Sequence, residues 1–579
     1  MGLNDTRASV IIVQPDVGAN AGGSVDTSDR KTVVFGLDGA CFELVEPWLD
    51  AGALPTLAGL IDAGGQTALE SCVPATTPPA WTSLTTGVNP GRHGVFGFYG
   101  RRRGSYDTDP VSDVDVRARR LWDYTTEADL TSLVVNVPVT HPPREIEGAL
   151  VPGYLSPDPP STYPDGLLAD LGLEEYRVYA DSEAADVSEA QLRDEWLALT
   201  DNRREVTLAL MERYEWNLLF VEFQKTDGAV HKFDDEANIR RVFERVDDCM
   251  ASILESVNEE PNVFVVSDHG IGQQKEWSVA LNTWLVEQGY AATTVGSAAQ
   301  ESWLAEAATG IDEGPKSSDA SDGAIGRVLS ALSRVGVTKQ RLERGLSTVG
   351  LYEFAARLAP AGAGDSFEEE VVDEAASRAF YQGTGFSGVD TGVTLNAESF
   401  YADGVVSEAD YESLHEELME ALRNLEGPDG QRPFSSVQPR KAVYEGPAVE
   451  YAPDIVLEQS ADYVIGSSQP RGQTFIPADE GRIDHTRNGL LVAAGPDIES
   501  GWELSRTPSI VDVTPTVLAL CGVPLAERFD GKPLLELFDD EPGVETLDYG
   551  PMDRREEYGF SDEEERALEE RLGAMGYME

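Results

Sequence analysis

The chain has 579 residues and sets 44 Lys and Arg against 103 Asp and Glu, a formal net charge of −59. Its length exceeds one small domain, and a hydrophobic content of 41% supplies material for a sizeable core. Carboxylates spread along the whole chain disfavour nucleic-acid polymers and anionic membranes as partners. They suit a high-salt cytoplasm, where dissolved ions screen self-repulsion.

Residues 1–30 read as a flexible leader, with one short apolar run at Val10–Val13 followed by Gly, Ala, Ser and Asp. The leader has no basic n-region and no twin arginine, so no signal peptide is expected and the cytoplasm is the expected compartment. Near-continuous apolar runs then recur at Lys31–Gly36, Ser132–Val137, Asn217–Phe223, Asn262–Ser267 and Leu490–Ala494. Runs of this length fit strands buried on both faces. Ser188–Arg213 and Asp235–Val257 have helical periodicity. The fold class predicted is α/β, with a mostly parallel central sheet flanked by helices.

Residues 31–296 and 366–540 are assigned to a catalytic core. The polar, small-residue stretch and helical patterns of 297–365 are assigned to a helical insertion, or cap. Residues 541–579 are assigned to an acidic C-terminal appendage. No stretch approaches the ~18–20 apolar residues of a membrane-spanning helix. Cys41, Cys72, Cys249 and Cys521 show no paired spacing, which argues against a disulfide framework and a thiolate zinc site.

The chemistry-bearing residues follow the strands. Asp38 comes just after the first apolar run, and Asp268 and His269 just after the fourth. Asp227 and His231, four apart, follow the third, and His485 precedes Leu490–Ala494. In open α/β sheets ligands collect at the carboxyl ends of strands. The spacing therefore predicts that these side chains meet at one end of one sheet. Imidazole and carboxylate donors suit zinc and similar divalent ions. Two such ions can clamp the attacking and leaving oxygens of an in-line displacement. With a hydroxyl residue from Ala75-Thr-Thr-Pro-Pro79 between them, the set implies hydrolysis of a phosphoryl or related ester.

The chain resembles the alkaline phosphatase superfamily, in particular its type I phosphodiesterase/nucleotide pyrophosphatase branch. The resemblance rests on Val34-Phe-Gly-Leu-Asp38-Gly, on Val73-Pro-Ala-Thr-Thr77-Pro-Pro-Ala-Trp-Thr-Ser-Leu-Thr-Thr-Gly87 and on Pro90-Gly-Arg-His-Gly94. It continues through Thr226-Asp227 with His231, Ser267-Asp268-His269-Gly270, Asp484-His485 and the closing run Asp512–Val523. It implies one divalent ion on Asp227, His231 and His485. A second would sit on Asp38, Asp268 and His269, touched by the nucleophile Thr77. Zinc is the expected metal and manganese the alternative. The implied activity is hydrolysis of a small phosphorylated substrate through a phosphothreonine. Phosphomonoesterase action and phosphoryl transfer to an acceptor other than water are the alternatives. A helix starting at Thr77 would turn free N–H groups and a positive dipole end toward the phosphoryl oxygens. Where the nucleotide pyrophosphatases carry an Asn donor after their His-Gly pair, this chain has Phe98. The cluster Arg101-Arg-Arg103 stands out in so acidic a chain, either as a salt-bridge patch or as a contact for an anionic substrate.

Overall fold

The computed structural model describes residues 30–182, 187–295, 370–383, 392–466, 470–478, 483–550, 552 and 560–574. The leader up to residue 29 and the insertion assigned to 297–365 lie outside the described residues.

Seven strands make the central sheet. Their spatial order is Gly65–Glu70, Asn488–Ala494, Asn262–Val266, Thr32–Leu37, Leu218–Phe223, Ser132–Val135 and Gly148–Val151. The last five run parallel. Asn488–Ala494 runs antiparallel to Asn262–Val266, and Gly65–Glu70 antiparallel to it. The expectation of a mostly parallel sheet therefore holds. The apolar run at 490–494 does not itself encode direction, because burial on both faces looks the same in either orientation.

Alternation within each strand divides the core into two layers. Val33, Phe35 and Leu37 face one hydrophobic cluster, and Val34 faces the other. The first layer is covered by the helices Glu189–Arg213 and Glu236–Glu255, which contribute Val206, Leu210, Phe243, Val246 and Met250. Ser188 and Asp235 cap these helices with their side chains, each accepting from a backbone N–H of the first turn. The second layer is covered by the helices Thr77–Thr86 and Val513–Leu520.

Residues 370–383, 392–466 and 470–478 build a second unit within the 366–540 stretch. Its four-stranded sheet has the order Ala379–Phe380, Gly392–Leu395, Ile455–Gln459, Phe434–Pro439, and every pairing is antiparallel. The helix Glu408–Arg423 buries Leu414, Leu418 and Leu422 against this sheet. With Val279, Leu281 and Leu285 they form a hydrophobic cluster separate from the main core. The C-terminal stretch packs onto the main body through Leu568, which is buried in the first layer, and Phe560, whose ring stacks on His141 at 5.3 Å. No helix among the described residues is long and apolar enough to cross a membrane.

Candidate functional site

Three adjacent parallel strands end at the site. Asp38 lies one residue beyond Thr32–Leu37, and Asp268 and His269 lie just beyond Asn262–Val266. The chain leaves Leu218–Phe223 directly into the helix Lys225–Lys232, which puts Asp227 and His231 one turn apart on one face. His485 arrives on the strand Ile483–Thr486, paired with Gly270–Gln274.

These six side chains form one continuous cluster. His231 Nε2 lies 3.3 Å from Asp227 Oδ1, and His485 Nε2 lies 3.5 Å from the same oxygen. The two imidazole nitrogens are 2.9 Å apart. On the other side, His269 Nε2 lies 3.2 Å from Asp268 Oδ2 and 3.6 Å from Asp38 Oδ1. His269 also joins the halves, since its ring stacks on His485 at 3.9 Å and it groups with Asp227 and His485 as well as with Asp38 and Asp268.

Thr77 opens the helix Thr77–Thr86 and is 1% exposed. One contact holds its segment against the cluster: one turn on, Trp81 Nε1 donates to Asp38 Oδ2 at 3.1 Å. Pro78 and Pro79 follow Thr77 directly, so the helix start lacks two N–H groups that other residues would supply. The N–H groups that this helix start can offer are those of Thr76 and Thr77, together with the dipole end.

Two glycines permit this packing. Gly39 has a φ of +66°, and a Cβ there would come within 2.8 Å of Asp227 Oδ1, while its N–H donates to Asp268 Oδ1 at 3.1 Å. A Cβ on Gly36 would fall 2.5 Å from the Trp81 ring.

The electrostatics favour positive charge among these groups. Burial pushes Asp38 well above the usual carboxylate range, and the charges of Asp268 and Asp227 push it further. Burial does the same to Asp268, with Asp227 and Glu222 adding and the Gly39 N–H opposing. Burial also acts against ionised Asp227, yet the charge and hydrogen bonds of His231 and His485 hold it well below the usual range. Burial lowers His269, and the charge of His485 adds to this. His485 is raised because its hydrogen bond to Asp227 and that carboxylate's charge outweigh burial. Buried carboxylates this close together need protons or cations to offset their repulsion. Asp38 Oδ1, Asp268 Oδ2, His269 Nε2 and Thr77 Oγ1 are buried without a hydrogen-bond partner among the described residues. A tetrahedral ion with bonds of ~2.0–2.2 Å separates its ligand atoms by about 3.3–3.6 Å. The donor set and most of its spacings therefore fit divalent cations.

Residues 32–339, just over half of the chain, match the type I phosphodiesterase / nucleotide pyrophosphatase family. The chain belongs to this family. As a type I phosphodiesterase family member it is a hydrolase of phosphoester bonds. No curated protein sequence matches it. Among solved structures it is similar to phosphonoacetate hydrolase from Sinorhizobium meliloti 1021 in complex with phosphonoformate, at 15% identity and a TM-score of 0.50, over 86% of this chain and 96% of that one. It also matches a mutant of the alkaline phosphatase PafA, at 12% identity and a TM-score of 0.46, over 88% and 99% of the two chains. The figures for human ectonucleotide pyrophosphatase / phosphodiesterase 5 are 12% and 0.45, over 88% and 100%.

Other features of this family member lie outside the cluster. Phe98 is buried against Tyr154 and belongs to the hydrophobic core. Arg101 reaches the carbonyls of Tyr451 and Ala452 at 3.3 and 3.0 Å, Arg102 pairs with Asp109, and Arg103 pairs with Glu450. Arg101 and Arg103 thus tie the main body to the second unit. His93 uses both ring nitrogens, with Ser83 Oγ at 2.9 Å and the Val95 N–H at 3.2 Å. His141 meets Ser161 and His415 meets the Asp454 carbonyl. Sequence reasoning missed Trp81 as a partner of Asp38, although its position four residues after Thr77 carried the signal.

Proposed function

We propose that the protein hydrolyses small phosphate esters with two divalent metals and a phosphothreonine at Thr77. The observation that carries this reading is the convergence of two carboxylate/imidazole sets, with neighbouring donor atoms 2.9–3.6 Å apart, joined through Trp81 and Asp38 to a helix that opens on a buried hydroxyl without a partner among the described residues. Asp227, His231 and His485 would hold one ion, and Asp38, Asp268 and His269 the other. His269 Nδ1 faces the Gly270 carbonyl at 3.3 Å, which leaves Nε2 with a free lone pair for a ligand bond. Nitrogen and carboxylate donors favour zinc, with manganese the alternative. Bound cations supply Lewis acidity, withdrawing charge from phosphoryl oxygens and easing loss of a hydroxyl proton.

The chain's own residues then do the following. The helix that Thr77 opens is fixed to the cluster by the Trp81–Asp38 hydrogen bond. Thr77 gives up its proton, and its oxygen forms a bond to phosphorus. The ester oxygen leaves with the electron pair of its broken bond and takes up a proton. Water attacks the phosphothreonine, releases the phosphate product and restores the hydroxyl.

The net charge of −59 and four free cysteines support a reducing, high-salt cytoplasm as its compartment. The test is Thr77→Ala, measured for turnover and metal content on the same preparation. Hydrolysis of a nitrophenyl phosphodiester should fall by several orders of magnitude with metal content unchanged, and Thr77→Ser should keep part of the activity. Near-normal turnover in Thr77→Ala would overturn the covalent route. A panel of phosphomonoesters, phosphodiesters and phosphonates at high salt assigns the substrate class.

A further inference from the structure

His485 reaches the cluster on a short ribbon rather than from a strand of the central sheet. Ile483–Thr486 pairs with Gly270–Gln274, and the register shifts between Ile483 and His485. Asp484 occupies that irregularity and is 1% exposed. Irregularities of this kind re-aim a neighbouring side chain. Asp484 Oδ1 accepts from the His485 backbone N–H at 2.8 Å. Asp484 Oδ2 accepts from the side-chain amide of Gln459.

Gln459 belongs to the second unit, at the end of the strand Ile455–Gln459. Its Oε1 accepts from the Ile465 N–H at 2.6 Å, which fixes the amide so that its NH₂ faces Asp484. The turn between these residues is pinned in place. The Asp462 carbonyl accepts from the N–H groups of Glu276 and Trp277 at 2.9 and 3.0 Å, and Gln273 donates to Asp462 Oδ1 at 2.9 Å. Lys275 Nζ donates to the Ala461 carbonyl at 3.0 Å. An unbroken path therefore runs from the second unit through Gln459 and Asp484 to the backbone that aims His485.

We propose that Gln459 is a positioning residue. It holds Asp484, Asp484 holds the His485 backbone, and the second unit thereby sets metal affinity at the Asp227/His231/His485 half. The proposal rests on His485 being a ligand. Without Gln459, the buried carboxylate loses a donor and seeks another. The bend then relaxes, and a ligand atom needs to stay within about 0.2 Å of its place.

The test uses the full chain and zinc alone, read by competition against a fluorescent chelator. Gln459→Leu should weaken one of two zinc sites roughly 10–100-fold and leave the other unchanged. Gln459→Glu should weaken the same site at least as much, because two carboxylates then face each other. The exchange of Gln459→Glu with Asp484→Asn restores a donor–acceptor pair and keeps both the Ile465 and His485 contacts. It should recover most of the lost affinity in a protein that melts normally. His485→Ala is run alongside. If His485→Ala loses one site while Gln459→Leu keeps both at full affinity, the positioning role is overturned and the ligand reading stands. If His485→Ala keeps both sites, both are overturned. Should Gln459→Leu fold poorly, the exchange decides: a folded exchange variant as weak as Gln459→Glu alone overturns the proposal.

Discussion

The two halves of the cluster are built differently. Asp38, Asp268 and His269 stand at the ends of two hydrogen-bonded parallel strands, in a register that pairs Gly36 with Val266. All three are at most 1% exposed. The other half comes from separate structures: Asp227 and His231 from an eight-residue helix, His485 from a two-stranded ribbon. The first half inherits its geometry from the sheet register. The second depends on a short helix and a two-stranded ribbon outside the central sheet, and small elements with few ladder partners open more readily. The sheet half should therefore bind its cation tightly, and the ribbon half should be the adjustable one.

The largest effect is expected from the residue that stands where the halves meet. His269→Ala should lower turnover by more than the roughly 10²–10³-fold that one electrostatic donor is worth, and release the ion of the sheet half while the ribbon half keeps its own. Loss of both equivalents of metal would break the picture of two separate ligand sets.

A sharper contrast comes from stepwise chelation of the native protein. The ribbon half should empty first, so His485→Ala should retain the equivalent that resists the chelator and Asp38→Asn should lose it. Metal content at each chelator concentration, measured by atomic emission, gives the answer. Two indistinguishable sites would erase the proposed difference.

Trp81→Phe keeps an aromatic ring in the second layer and removes the N–H that Asp38 Oδ2 accepts. It should reduce kcat/KM about 10–100-fold, as loss of an outer partner of a metal ligand commonly does. The stability loss should stay within the ~1.5–3 kcal/mol of one hydrogen bond to a charged group. Unchanged kinetics would show that the sheet half holds itself.

The smallest effect concerns the whole surface. Lowering salt from about 1 M to 0.01 M lengthens the screening distance from ~3 to ~30 Å. The melting temperature should fall because excess carboxylates repel. The ribbon half, which depends on contacts between segments, should release metal before the main transition. Equal melting temperatures at both salt concentrations would contradict the reading of the charge.

Much of this was legible in the chain. The apolar runs at 31–36, 217–223 and 262–267 carry their own evidence, because a strand buried on both faces has few other ways to be written. Asp227 and His231 are four apart, so a helix alone brings them to one face. The direction of Asn488–Ala494 was not legible, since pairing partners lie far away in sequence. Nor was the contact of Gln459 with Asp484, which joins residues of the two units. Arg101-Arg-Arg103 was visible as a cluster, but its partners Ala452, Asp109 and Glu450 are set by tertiary packing. Local pattern reports period and burial, and long-range hydrogen bonds leave no periodic trace.

Gly36 acts as a spacer of zero thickness. With no side chain under the Trp81 ring, the helix that begins at Thr77 settles as near the strand as backbone and indole allow. A single methyl at position 36 would wedge the ring upward, and the hydroxyl one turn away would ride with it. The placement of the Thr77 hydroxyl is thus gauged by an atom the chain leaves out, and Gly36→Ala is the smallest shim by which it could be shifted.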